Sequence, residues 1–177
     1  LNILFLFYMV VNYITFEGLS FTGKTTQAHA LVTDLQRQGH PVLYRKSCPT
    51  PEGITGTLAK RVCSGSLPRP LKEQLFCANI LWDNYAIGQT LNSGTSVIQD
   101  RGILSYLAFN EVYFHHTPRL LEREVINGNV GLMHPGIVIY LEADPETRME
   151  RMRLRSKEKD PSDYEKDEIF GDVGKIL

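Results

Sequence analysis

Eight residues, Gly18-Leu19-Ser20-Phe21-Thr22-Gly23-Lys24-Thr25, constrain this chain more than any others, because they complete a G-x-x-x-x-G-K-[ST] loop. Gly18 and Gly23 let the backbone turn through positive φ and approach a ligand closely, since neither carries a Cβ. Successive N–H groups of such a loop form an anion-sized concavity. A helix starting at about Lys24 adds the positive end of its dipole. Lys24 brings a mobile charge to the outer phosphates of a nucleoside triphosphate, and the Thr25 hydroxyl can ligate Mg²⁺. An ordinary glycine turn into a helix has no need of Lys-Thr at its end.

The flanking pattern sets the fold class. A strand is predicted over Val10–Phe16, then a helix from about Lys24 to Gln38 with Ala28, Leu31, Val32 and Leu35 at three/four spacing. Gly39 stops that helix, and Pro41-Val42-Leu43-Tyr44 makes a second strand. This βαβ order predicts an α/β P-loop NTPase fold, a three-layer α/β/α sandwich on a parallel central sheet. Ser47–Gly56 reads as loop, and Ile54–Cys63 as a short helix. A long helix over Leu71–Leu91 is expected to bury a side carrying Leu75, Ala78, Leu81 or Trp82, and Tyr85. Thr95–Gln99 and Gly136–Leu141 are predicted strands, with Ser105–Tyr113 and Pro118–Ile126 as helices between them. Asp144-Pro145-Glu146 is a helix start, with Asp as N-cap and Pro in the first turn. That last helix carries Arg148, Arg151, Arg153 and Arg155.

Size and charge narrow the function classes. With 177 residues the chain reads as one domain, 1–177, and its 42% hydrophobic and 22% charged content is that of a globular protein. A net charge of −1 gives no global electrostatic case for nucleic acid. Cys48, Cys63 and Cys77 lack metal-ligand spacing and read as reduced thiols of a cytoplasmic protein. The apolar stretch Leu1–Val11 is too short to span a bilayer and has no basic flank, so no membrane anchor is expected. It reads either as a long first strand or as a segment (1–9) ahead of a natural start at Met9.

Asp100-Arg101 follows the apolar pair Val97-Ile98 at the carboxyl end of the third strand, where open α/β sheets bind ligands. A carboxylate there can hold Mg²⁺, and Arg101 can fork onto phosphate. The plainer readings are a helix-capping Asp100 and a surface Arg101. From about Tyr13 to Leu177 the chain resembles the thymidylate kinases, P-loop kinases of nucleoside monophosphates. Phe16-Glu17-Gly18 through Gln27 resembles their P-loop. Tyr44-Arg45 with Thr50-Pro51 and Gly53, Leu75-Phe76-Cys77-Ala78-Asn79, and Val97-Ile98-Gln99-Asp100-Arg101 followed by Ser105 to Asn110 resemble further family segments. So does Tyr140-Leu141 with Asp144-Pro145-Glu146 and Glu150-Arg151.

The resemblance implies ATP as phosphoryl donor, Mg²⁺ as cofactor, a nucleoside monophosphate (dTMP foremost) as acceptor, and a homodimer. Gly18, Leu19, Ser20, Phe21, Thr22, Gly23, Lys24, Thr25 and Thr26 would bind ATP, with Thr25 and Asp100 on the metal. Arg45 would grip the acceptor phosphate, Phe76 would stack on its base, and Tyr106 and Phe109 would lie beside the base and sugar. Arg101 would bridge donor and acceptor phosphates. Arg151 and Arg155 would open a lid over about 151–165 and complete the catalytic set with Lys24, Asp100 and Arg101. The plainer readings are core packing for Phe76 and a solvated helix face for the arginines.

The departures from the family pattern cluster at the acceptor side. Ser20 replaces a carboxylate, Phe21 a Gly or Arg, Ile80 a base-reading arginine, and Tyr106 a small residue. Lys46-Ser47-Cys48-Pro49 replaces E-P-G-G, Asp163 stands where the lid often has Arg, and the chain ends before the family's usual last strand and helix. The core sheet is accordingly expected to have five strands, or four here. Two rival functions follow: a deoxynucleoside kinase using Glu17 as base, or a nucleotide-binding module without turnover. No Asn-Lys-x-Asp guanine motif supports a GTPase.

Overall fold

In the computed structural model, residues 12–46, 68–114 and 133–156 are described. Four strands, β1 (Tyr13–Glu17), β2 (Val42–Lys46), β3 (Ser96–Asp100) and β4 (Ile137–Tyr140), form a sheet in the order β2-β3-β1-β4. Every pairing is parallel, with Phe16 opposite Asp100 and Lys46 opposite Asp100 on the other side. Helices α1 (Lys24–Arg37), α2 (Arg69–Asn92), α3 (Ile103–Phe114) and α4 (Pro145–Ser156) complete the described elements. This is the expected α/β P-loop architecture with a parallel central sheet. Leu1–Val11, Ile54–Cys63, Pro118–Ile126, Cys48, Cys63 and the lid beyond Ser156 lie outside the described residues. No helix among the described residues is long and apolar enough to cross a membrane.

The alternation of side chains along each strand sorts the layers. Phe16, Ile98 and Val42 pack with Ala28 and Val32 of α1 on one face. Tyr13 and Val97 pack with Ile87 of α2 on the other. Both faces of β1 and β3 are therefore buried, as expected for a parallel sheet covered by helices. The same alternation places Asp100 on the α1 face, and Glu17 and Gln99 on the face toward α2 and α3. Side chains of adjacent strand residues thus face two different helix layers at the carboxyl edge of the sheet.

Helix ends follow their sequence signals. Gly39 takes φ 82° after α1, and the His40 N–H returns to the Leu35 carbonyl at 3.0 Å. Asp144 caps α4 through the Thr147 N–H at 2.7 Å. Contacts from the Thr147 amide and hydroxyl hold its carboxyl below the usual range. α3 begins at Ile103, two residues before the predicted Ser105, because Arg101 and Gly102 turn the chain directly off β3.

The expected inner side of α2 is corrected by the structure. Trp82 and Tyr85 are 49% and 59% exposed and Ala78 is exposed, whereas Cys77, Asn79, Ile80, Asp83 and Ile87 are buried. Apolar residues run around the whole helix, so periodicity alone does not choose a side. The buried side is the one whose polar members find partners: Asn79 on Tyr106, and Asp83 on Arg45 and Gln99.

Candidate active site

The loop between β1 and α1 supplies the first wall. Gly18 and Gly23 take φ 127° and 101°, the left-handed region glycine enters freely. A Cβ on Gly18 would sit 2.2 Å from the Leu141 carbonyl oxygen, so close backbone approach also demands glycine. Phe21 takes φ 65° without that freedom, and Arg101 φ 68°. Both non-glycine residues of positive φ among the described residues fall within the same site, where backbone strain tends to be stored.

Lys24 is 5% exposed and donates to the Leu19 carbonyl and, at 3.4 Å, to the Thr22 hydroxyl. Burial, followed by the nearby Arg101 charge, lowers its pKa to about 7. A phosphate arriving in this loop therefore meets a lysine that gains stability by becoming charged.

Thr25 Oγ1 donates to Asp100 Oδ2 at 2.5 Å, joining the start of α1 to the end of β3. Asp100 is buried. The Tyr44 hydroxyl donates to the same carboxylate oxygen at 3.4 Å, and its ring stacks on His29 with centroids 3.9 Å apart. Burial and the Asp100 charge push the Tyr44 phenol up to about 12, so it remains a donor. A hydroxyl and a carboxylate oxygen this close are the hard donor set that Mg²⁺ takes alongside water and substrate phosphates. The residues present thus fit that ion.

Arg101 is turned toward the loop. Its Nη1 donates to the Gly18 carbonyl at 3.2 Å and to Ser105 Oγ at 3.4 Å, and its Nη2 to Ser20 Oγ at 3.2 Å. It is partly buried, contrary to the plainer surface reading. Glu17 is buried beneath it and accepts the Gly102 N–H at 2.8 Å on one oxygen and the Ser105 hydroxyl on the other. Behind the loop, Arg151 Nη1 donates to the Phe21 carbonyl at 2.9 Å and Arg148 Nε to the Ser20 carbonyl at 3.0 Å.

The remaining candidates sit as follows. Leu19, Ser20, Phe21 and Thr22 lie in the loop, and Thr26 is exposed on the first turn of α1. Arg45, at the carboxyl end of β2, forms an ion pair with Asp83. Tyr106 is buried and accepts from Asn79 Nδ2 at 2.6 Å. Ile80 and Tyr106 share one small cavity with Asp83, Gln99 and Ile103. Phe76 and Phe109 lie on α2 and α3, but their side chains are outside those described. Arg155 and Arg153 are exposed on α4, in line with a solvated face. Cys77 is buried and forms no disulfide among the described residues. Sequence reading missed Asp83, Gln99 and the loop contact of Arg148. The signal for the first two was a polar residue inside an apolar run, and for Arg148 its position one turn before Arg151.

A parallel sheet in the order β2-β3-β1-β4, with a glycine-rich loop between β1 and α1 and a buried carboxylate beside it, defines a P-loop nucleotide-binding enzyme. A family model described as thymidylate kinase matches residues 16–177. A thymidylate kinase of Bartonella quintana is 33% identical over 167 residues, covering 89% of this chain and 75% of that protein. One of Bacillus licheniformis is 31% identical over 166 residues, covering 87% and 74%. One of Arabidopsis thaliana is 32% identical over 142 residues, covering 78% of this chain and 51% of that longer protein. The chain belongs to the thymidylate kinase family, whose members are nucleoside monophosphate kinases, and it is accordingly a nucleotide kinase.

Proposed function

We propose that this chain transfers the γ-phosphoryl group of ATP to a nucleoside monophosphate, with dTMP the leading acceptor. The observation that carries the reading is the contact of Thr25 with Asp100 at 2.5 Å, beside buried Lys24 and partly buried Arg101. Phosphoryl transfer spreads negative charge over the phosphoryl oxygens and needs alignment more than covalent help. Lys24 and the loop amides hold the donor phosphates. Arg101 turns from Gly18 and Ser20 toward the phosphates between donor and acceptor, and Arg45 grips the acceptor phosphate. Arg151 and Arg148 hold the loop carbonyls outward, which keeps the loop N–H groups directed inward, and Arg155 begins the lid that excludes water. Thr25 and Asp100 hold Mg²⁺, which when bound neutralises charge on the donor phosphates.

The curated relatives support dTMP, since each carries the name thymidylate kinase. Glu17 disfavours the rival hydroxyl acceptor, because both of its oxygens are engaged by Gly102 and Ser105. A homodimer through α2 accords with its exposed Leu71, Trp82 and Tyr85. The deciding experiment is ATP consumption at fixed Mg²⁺ with dTMP, dUMP, dCMP, dGMP and thymidine in parallel. Fastest turnover of dTMP is expected. A different leading monophosphate moves the substrate, thymidine as the best acceptor replaces the reaction, and ATP binding without turnover overturns the kinase reading.

A further inference from the structure

A directional chain of buried and partly buried hydrogen bonds runs from the sheet to Arg45. The Tyr13 hydroxyl donates to Gln99 Oε1, Gln99 Nε2 donates to Asp83 Oδ2 at 2.7 Å, and Arg45 Nε donates to Asp83 Oδ1. The Asp83 carboxylate only accepts, which orients the Gln99 amide with its NH₂ toward Asp83 and its oxygen toward the Tyr13 hydroxyl. Both carboxylate oxygens of Asp83 are thereby fixed. Asp83 is 3% exposed and the Arg45 side chain 12% exposed. Burying such a pair does little for stability, because apolar residues of like volume do as well or better. The arrangement makes physical sense for geometry instead. Arg45 pairs with Gln99 in the β2–β3 register, one residue short of the Lys46–Asp100 level, which places it at the ligand-binding edge. Asp83 takes the Nε of its guanidinium, the nitrogen nearest the stem, and leaves the outer edge of the fork directed away from the anchor.

We propose that Asp83, locked by Gln99 and Tyr13, is a positioning residue that aims the Arg45 guanidinium at the phosphate of the acceptor nucleotide. This rests on the reading of Arg45 given under Proposed function. Asp83→Asn sets donor against donor toward Arg45 or Gln99 or, where the Gln99 amide turns over, takes the acceptor from the Tyr13 hydroxyl. Misplacing a clamp by about 1 Å costs up to about a hundredfold. In Asp83→Asn the dTMP KM and the calorimetric dTMP Kd are expected to rise tenfold or more, with the ATP KM within twofold of wild type. In the double variant Asp83→Asn/Gln99→Glu the reversed donor pattern is whole again. The introduced amide accepts from Arg45 and donates to the introduced carboxylate, which also accepts from Tyr13. That double variant is expected to recover most of the dTMP affinity.

An unchanged dTMP Kd in Asp83→Asn overturns the proposal. So does an equal rise in both KM values together with a lowered melting temperature, the mark of a purely structural role. Should Asp83→Asn fail to fold, Gln99→Met, which removes only the second anchor, is expected to raise the dTMP Kd about threefold, and no change there is equally decisive. Arg45→Ala separates the two ideas. If it leaves dTMP affinity intact, the reading of Arg45 falls and the proposal with it. If it abolishes dTMP affinity while Asp83→Asn has no effect, only the positioning role falls.

Discussion

Thr25 Oγ1 and Asp100 Oδ2 lie 2.5 Å apart although 75 residues separate them in sequence. The contact exists because β1 and β3 are neighbours in register, Phe16 against Asp100, and the loop after β1 brings α1 back over the end of β3. Asp100→Asn keeps the shape and a hydrogen-bond acceptor but removes the charge. It is expected to lower kcat by about 10²-fold or more, the usual cost of losing one preorganised electrostatic group. Raised Mg²⁺ is expected to recover part of the loss. Steady-state kinetics over a Mg²⁺ series tests this, and an unchanged Mg²⁺ dependence would remove Asp100 from the metal site.

Lys24→Ala should abolish most turnover with the fold intact. The ammonium is buried and its charged form is disfavoured there, so its removal relieves a desolvation cost while opening a small gap. The far-ultraviolet circular dichroism and the melting temperature are expected to match wild type within a few degrees. Activity near wild type in this variant is incompatible with the loop's assigned role.

The βαβ start, the loop and the strand-end carboxylate were legible because their signals are local. Ala28 and Val32 face inward as their spacing requires, Gly39 ends α1, and Asp144 begins α4. The inner side of α2 was not legible. Leu75, Ala78, Trp82 and Tyr85 make as good an apolar stripe as Cys77, Ile80 and Ile87. The choice is made by Arg45, Gln99 and Tyr106, partners on distant segments that periodicity does not register. The same applies to Arg148, which reads as one more charge on a basic helix until α4 meets the loop. The αL conformations of Phe21 and Arg101 are likewise set by the turn each must make and not by residue preference.

Gly18 and Gly39 both hold positive φ, but their surroundings differ. An added Cβ at Gly39 meets nothing within 4 Å, so Gly39→Ala carries only the left-handed backbone cost of about 1–2 kcal/mol. At Gly18 the Cβ would meet the Leu141 carbonyl oxygen at 2.2 Å, a backbone atom that cannot yield without moving the end of β4. Gly18→Ala is therefore expected to lower the melting temperature more than twice as far as Gly39→Ala. It should also depress activity, because the Gly18 carbonyl is an anchor for Arg101. Thermal melts of both variants with a single-point assay check the contrast, and equal losses would argue that the close approach at Gly18 is not maintained in solution.

Lys24 also sets an expected pH dependence. In the unfolded chain its pKa is about 10.4, and in the folded, unliganded protein burial and Arg101 bring it down to about 7. Between those values the unfolded chain holds a proton that the folded protein does not. Unfolding free energy contributed by Lys24 therefore rises with pH across this window, by up to about 1.4 kcal/mol per pH unit. Urea melts at pH 7 and pH 9 should show wild type gaining more stability than Lys24→Met. A bound triphosphate reverses the sign, since it favours the ammonium: its affinity should fall from pH 7 to pH 9, with proton uptake on binding at the higher pH. Calorimetry in buffers of different ionisation enthalpy measures that uptake. Opposite pH trends for stability and triphosphate affinity, both lost in Lys24→Met, are the expected outcome, and parallel trends would show that Lys24 keeps its charge in the unliganded protein.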